Sequence, residues 1–323
     1  MRILVTGARG QLGSDVIKEI AKRGYEGIGT DLAQSPQPSG TDLATSQQEC
    51  AGAHGEAAST GMSFIPMDIT DREQVLAVFG QVRPDVVIHC AAWTAVDAAE
   101  DPENRERVEA INARGTRYVA EAAKETGAAM IYLSTDYVFD GQGTEPWDPD
   151  SDAYAPLNVY GKSKLEGELA VRELLDKYYI VRIAWVFGEH GNNFVRTMLR
   201  LGQTHGTLRV VSDQIGTPTY TPDLAKLLID MAETERYGYY HATNEGGFIS
   251  WYEFAKEIFR QAGIEVQVIP VTTSEYGLSK AKRPFNSRLD KSKLTGNGFE
   301  RLPDWKDALA RYLAATATAT HAR

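Results

Sequence analysis

A glycine-rich turn at the start of the chain constrains its fold more than any other feature. Gly7-Ala8-Arg9-Gly10-Gln11-Leu12-Gly13 follows directly on the apolar run Arg2-Ile3-Leu4-Val5 and leads into a stretch with Val16, Ile17 and Ile20 at helical spacing. A strand, a tight turn and a helix read off in that order. Such a turn brings bare backbone to a helix N-terminus, where N–H groups and the helix dipole favour a pyrophosphate. The spacing is G-x-x-G-x-x-G rather than G-x-G-x-x-G, and glycine turns also serve packing alone. Its place after the first strand points to dinucleotide binding.

The rest of the chain repeats the theme. Short β-branched runs at residues 2–5, 25–30, 86–89, 129–133 and 179–185 alternate with amphipathic stretches, the pattern of parallel βαβ units. Their near-continuous apolarity suits strands buried on both faces. Thr70 with Glu73 and Ser250 with Glu253 read as capping boxes, and Thr221-Pro222 as an N-cap before a proline. After residue 185 the order loosens: helices are expected near 193–201, 223–232, 251–261 and 305–313, and strands near 208–211, 239–241 and 266–271. The expected fold is α/β, a Rossmann-like doubly wound parallel sheet with a smaller α/β substrate-binding lobe. Residues 1–185 form mainly the dinucleotide-binding domain, part of 220–245 returns to it, and 186–313 form mainly the second lobe. Residues 33–63, rich in Gln, Ser, Thr, Ala and Gly, read as a loop insertion, and 314–323, repeating Ala and Thr, as a disordered tail.

Composition excludes several function classes. A net charge of −10 disfavours a nucleic-acid partner, and no apolar run is long enough to span a bilayer. The first residues lack the pattern of a signal peptide, and the two cysteines, Cys50 and Cys90, imply no disulfide framework, so a cytoplasmic protein is expected. The six histidines show no zinc spacing, and no metal is expected.

Within this frame Gly7, Gly10, Gln11, Leu12 and Gly13 are expected at the cofactor. Asp31, closing the second strand, is placed to accept from an adenosine ribose and to repel a 2′-phosphate. NADH is therefore favoured over NADPH, although Arg9 in the glycine loop could pair with a 2′-phosphate. Asp68-Ile69 and Ala91-Ala92 end strand-like segments and are expected beside adenine and the nicotinamide ribose. Tyr160 and Lys164 stand four apart, on one face of a helix. A phenol titrates near 10 in water, and a neighbouring ammonium and nicotinamide cation are expected to lower it into working range. Thr135, at a strand's C-terminal edge, could set its hydroxyl against a carbonyl oxygen.

These features together resemble the extended short-chain dehydrogenase/reductase family: the glycine loop, Asn112-Ala113-Arg114-Gly115-Thr116, Ser134-Thr135 and the Tyr160/Lys164 pair. Longer stretches are similar to its dTDP-4-dehydrorhamnose reductase subgroup, from residue 1 to about 313: Ser134-Thr135-Asp136-Tyr137-Val138-Phe139-Asp140-Gly141, Pro156-Leu157-Asn158-Val159-Tyr160-Gly161, Arg182-Ile183-Ala184-Trp185-Val186, Gly191-Asn192-Asn193-Phe194 and Asp213-Gln214-Ile215-Gly216-Thr217-Pro218-Thr219. The resemblance implies reduction of a 4-keto nucleotide sugar to dTDP-L-rhamnose, with Tyr160 as proton donor, Lys164 tuning it and holding the nicotinamide ribose, and Thr135 orienting the keto oxygen. Asp136 and Trp185 would contact the sugar nucleotide. Arg196, Arg209 and Arg283 are candidates for its phosphates, and Asn193 and Gln214 for its polar groups. Dehydratases of the wider family carry an acid where Tyr137 stands, so elimination is disfavoured. Another nucleotide-sugar reductase or epimerase, and a non-catalytic NAD(P)-binding regulatory subunit, stay open as alternatives. Helix-mediated dimers are common in the family, which leaves a homodimer open.

Overall fold

The structure, a computed structural model, describes residues 1–32 and 62–321. Its centre is a seven-stranded parallel sheet. In chain order the first six strands are β1 (Arg2–Thr6), β2 (Glu26–Asp31), β3 (Met62–Pro66), β4 (Val86–His89), β5 (Ala129–Thr135) and β6 (Tyr178–Ile183), and Gly238–His241 adds the outer strand beside β6. Across the sheet they run β3-β2-β1-β4-β5-β6 and then the outer strand. The chain winds outward from β1 in one direction and then from β4 in the other. A crevice therefore opens between the C-terminal ends of β1 and β4, the place where such sheets bind ligands.

Both faces of the sheet are covered, which is why its strands are apolar without alternation. Ile3, Val5, Ile88, Ile131 and Val181 pack against the helices Gln11–Lys22 and Thr221–Ala232. Leu4, Val87, Met130 and Ile180 face the other way, toward Arg72–Val82 and Thr116–Thr126. The second lobe has its own core of Phe187, Val195, Phe254, Ile258, Phe259 and Leu309. It is built on the helices Phe194–Gly202, Trp251–Ala262 and Trp305–His321, with the parallel pair Thr207–Val211 and Gln267–Val271.

Local differences from the sequence expectation have identifiable causes. The strand expected through residue 185 stops at Ile183, because Trp185 turns into the left-handed region at φ 51. Asp71, not Thr70, caps the helix Arg72–Val82: it accepts from Gln74 N, while the Thr70 hydroxyl is spent on Asp68 Oδ1. The helix at Pro222 starts one residue early, at Thr221, with Tyr220 as its cap. Most of the expected 33–63 insertion lies outside the described residues, but Met62 and Ser63 already belong to β3. The helix Trp305–His321 runs through the Ala/Thr repeat read as a tail. Alanine is the best helix former, and the Thr316 hydroxyl bonds back to Tyr312 O at 2.9 Å.

Candidate active site

The glycine loop closes in a way only glycine permits. Gly7 sits at φ 65, and a Cβ there would lie 2.7 Å from Ala91 N; a Cβ on Gly13 would lie 2.1 Å from Gly7 O. With these groups absent, the turn tucks under the first helix and leaves backbone as the floor of a cleft of ≈ 340 Å³. Gly7, Gly10, Asp31, Asp68, Ile69, Ala91 and Ala92 line it, as the sequence suggests, together with Thr30, Leu32, Met67, Thr70, Cys90, Arg107, Ala110 and Ile111. The Gln11 side chain turns to Asn193 and that of Leu12 into the core, while Gly13 packs against Gly7, so these three meet the cleft only through the helix N-terminus they form. Asp31 faces the cleft while accepting from Arg9 N at 3.0 Å and Leu32 N at 2.9 Å. The Arg9 guanidinium lies over the Phe64 ring at 3.9 Å and donates to Leu32 O, outside the lining. A bare-backbone floor at a helix N-terminus, with a carboxylate at the end of β2, fits an adenine dinucleotide.

Beyond Ala91 the cleft floor is braced by a buried chain. Ala91 N donates to Thr6 Oγ1, which bonds His89 Nδ1 at 2.7 Å, and His89 Nε2 bonds Thr116 Oγ1 at 3.0 Å. Burial, with the Lys164 charge nearby, lowers His89 to about 3, so it stays a neutral strut. Next to it the helix widens into a π turn at Ala110–Gly115. Asn112 in that turn accepts from Trp93 N at 2.8 Å and donates to Ser163 Oγ at 3.0 Å, tying the loop after β4 to the helix that carries Tyr160.

That helix, Val159–Leu174, is capped by Asn158, whose Oδ1 accepts from Gly161 N at 2.7 Å. It places half-buried Tyr160 and buried Lys164 one turn apart, beside the end of β5, where Thr135 lies. The Tyr160 ring packs edge-on to Tyr137 at 5.7 Å. The Lys164 ammonium rests over the Tyr132 ring at 4.2 Å. The chain's own residues do not lower the phenol. Burial pushes Tyr160 above its ordinary range and the Asp136 carboxylate adds to this, with the Thr135 hydroxyl opposing. Burial also drives the Lys164 ammonium down to about 7, with Glu168 opposing. Thr135 donates to Asp136 Oδ1 at 3.0 Å, and burial raises that carboxyl to about 6 against the pull of the Ser287 and Thr135 hydroxyls. Asp136 Oδ2 is buried with no hydrogen-bond partner among the described residues.

The second-lobe residues divide. Trp185 stacks on Trp251 at 3.7 Å and stays half-buried. Asn193 caps the helix Phe194–Gly202 and its amide bonds Gln11 Oε1 and Gly188 O, so it latches the lobe to the glycine loop. Gln214 is buried and donates to Thr273 Oγ1 at 3.0 Å. Arg283 pairs both oxygens of Asp97, at 3.1 and 2.6 Å, beside Tyr137. Arg196 and Arg209 bond the carbonyls of Glu189 and Glu275 at the surface, and neither lines the dinucleotide cleft. Sequence reasoning missed Asp97, Ser287 and Arg107. No local pattern marks them, since each gains its role from partners far along the chain.

Comparison with known proteins places this geometry among characterised folds. The family model described as the RmlD substrate binding domain matches residues 1–318. The spore coat polysaccharide biosynthesis protein SpsK of Bacillus subtilis is 38% identical over 312 residues, 97% of this chain and 96% of that protein. A dTDP-4-dehydrorhamnose reductase of Aggregatibacter actinomycetemcomitans is 38% identical over 321 residues, 95% of this chain and 97% of its own. Among solved structures, the dTDP-4-dehydrorhamnose reductase of Bacillus anthracis in complex with NADP superposes with a TM-score of 0.81 at 39% identity, covering 98% of this chain and 99% of that one.

Proposed function

The chain belongs to the RmlD substrate-binding-domain family, and on that premise we propose that it reduces the 4-keto group of dTDP-4-dehydro-β-L-rhamnose with NAD(P)H to give dTDP-L-rhamnose. The observation that carries the reading is that Thr135, Tyr160 and Lys164 gather at the C-terminal edge of the same parallel sheet as the dinucleotide cleft, with the Lys164 charge felt at Cys90, which lines that cleft. The residues that would hold the cofactor are Gly7, Gly10, Gln11, Leu12 and Gly13 through the glycine loop and helix N-terminus, with Asp31, Asp68, Ile69, Ala91, Ala92, Tyr160 and Lys164. When bound, the reduced nicotinamide supplies a hydride to the carbonyl carbon.

Tyr160 supplies the proton for the carbonyl oxygen. Burial pushes the Tyr160 phenol upward, so it stays protonated and has a proton to give to the developing alkoxide. Thr135 orients the oxygen, and Asp136 and Trp185 hold the sugar. Arg283 stands at the same edge, and its bond to Asp97 would have to be shared or released for it to reach a phosphate. Asp31 favours NADH over NADPH by repelling a 2′-phosphate. The missing acid at Tyr137 supports reduction rather than dehydration.

A panel of keto nucleotide sugars tests the reading. Stoichiometric NADH oxidation is expected with dTDP-4-dehydrorhamnose above the others. Cofactor binding with no turnover on any of them would instead mark a regulatory NAD(P)-binding subunit.

A further inference from the structure

The helix Pro102–Glu109 is dense in charge, yet its charges are unequally used. Glu106 and Glu109 both pair with Arg114. The Arg107 side chain makes no hydrogen bond or ion pair among the described residues, although its carbonyl accepts from Ala110 N within the helix. Its guanidinium lies over the Trp93 ring, 5.6 Å from the centroid. It is nevertheless part of the cleft lining, and it is the only cation among the described residues that form it; the other charged side chains there are Asp31 and Asp68.

The order of groups along the cleft says which part of a dinucleotide would meet it. The glycine loop takes the pyrophosphate, and Ala91 and Ala92 lead toward Tyr160 and the reacting end. What remains is the adenosine end, with Asp31, Leu32, Met67, Ile69, Ile111 and Arg107. Its surface is mostly apolar, the environment of a flat base. Asp68 Oδ1 accepts from the Thr70 amide and hydroxyl at 2.8 Å each. A planar guanidinium with no ion pair, already lying over one aromatic ring, is suited to stacking on another.

We propose that Arg107 lays its guanidinium on the adenine base of the bound cofactor and so closes the adenosine end of the cleft. The inference rests on the NAD(P)H reading above. It assigns Arg107 to affinity through the half of the cofactor that does not react.

Fluorescence titration of the full chain with NADH, NADPH and reduced nicotinamide mononucleotide, which lacks the adenosine half, tests it. In Arg107→Ala, affinity for both dinucleotides should fall about tenfold, in the range that base stacking supports. The mononucleotide should bind as it does to the parent protein. Arg107→Lys should lose nearly as much as alanine, because an ammonium cannot stack as a plane. Weakening of NADPH alone would overturn the stacking assignment in favour of a 2′-phosphate contact. Equal weakening of all three ligands, or of none, would overturn it as well. Failure of the parent protein to bind NADH would instead sink the cofactor reading beneath it.

Discussion

At the scale of single residues, chemistry follows from burial more than from residue type. Tyr160 is proposed as the proton donor, so Tyr160→Phe should keep NADH binding in a titration while kcat falls at least about a hundredfold, the lower end for general acid catalysis. Near-normal kcat would remove Tyr160 from the mechanism. Asp136 carries a second prediction. Its carboxyl is raised from 3.8 to about 6, chiefly by burial. Below about pH 3 it is neutral whether folded or unfolded; as pH rises past 3.8 the unfolded chain ionises first, and stability is lost until the folded carboxyl also ionises through about 6. Asp136→Asn stays neutral, so it should melt higher than the parent above about pH 7, by a gain on the order of 3 kcal/mol or less. The gap should vanish below about pH 3; a gap that persists there would assign the effect to packing. The four-residue spacing of Tyr160 and Lys164 was legible in the sequence. The direction of the Tyr160 shift was not, since the groups that bury it come from residues far away in the chain.

At the scale of elements, legibility tracks how local the determinants are. The first strand, its glycine turn and the following helix could be read because every constraint lies within residues 2–22. The capping box of Ser250 with Glu253 formed as its spacing suggests. Asp71 took the cap expected of Thr70 because both are competent N-caps and only the turn geometry around Asp68 chooses between them. The π turn at Ala110–Gly115 has no composition signal, being set by Asn112 bridging Trp93 and Ser163. Asn158 offers an element-level test. It caps the helix that carries Tyr160 through Gly161 N and donates to Lys282 O at 2.8 Å, joining that helix to the second lobe. Asn158→Ala should cost about 1–2 kcal/mol in urea denaturation. Asn158→Ser should regain the cap but not the link to Lys282. An alanine variant as stable as the parent would show that the cap is dispensable.

At the scale of the whole molecule, two lobes share one site. The doubly wound sheet could be read from alternating strands and helices, and its switch point sets the cofactor cleft where the glycine turn predicts. The way the lobes are joined could not. Arg283 meets Asp97 across 186 positions of sequence, Asn193 meets Gln11 across 182, and the Thr221 hydroxyl meets buried Asp15 across 206. The first two tie the second lobe to the first, and the third holds the helix Thr221–Ala232 to the helix Gln11–Lys22 on one face of the sheet. The arrangement makes one chemical claim: a hydride reaches C4 of a keto sugar while Tyr160 protonates the oxygen. The most direct test is turnover of dTDP-4-dehydrorhamnose with NADH deuterated at the transferring position, with the sugar product identified by NMR. The account predicts dTDP-L-rhamnose carrying one deuterium at C4 for each NADH oxidised. Deuterium at another carbon, or a changed sugar with no net cofactor oxidation, would contradict it.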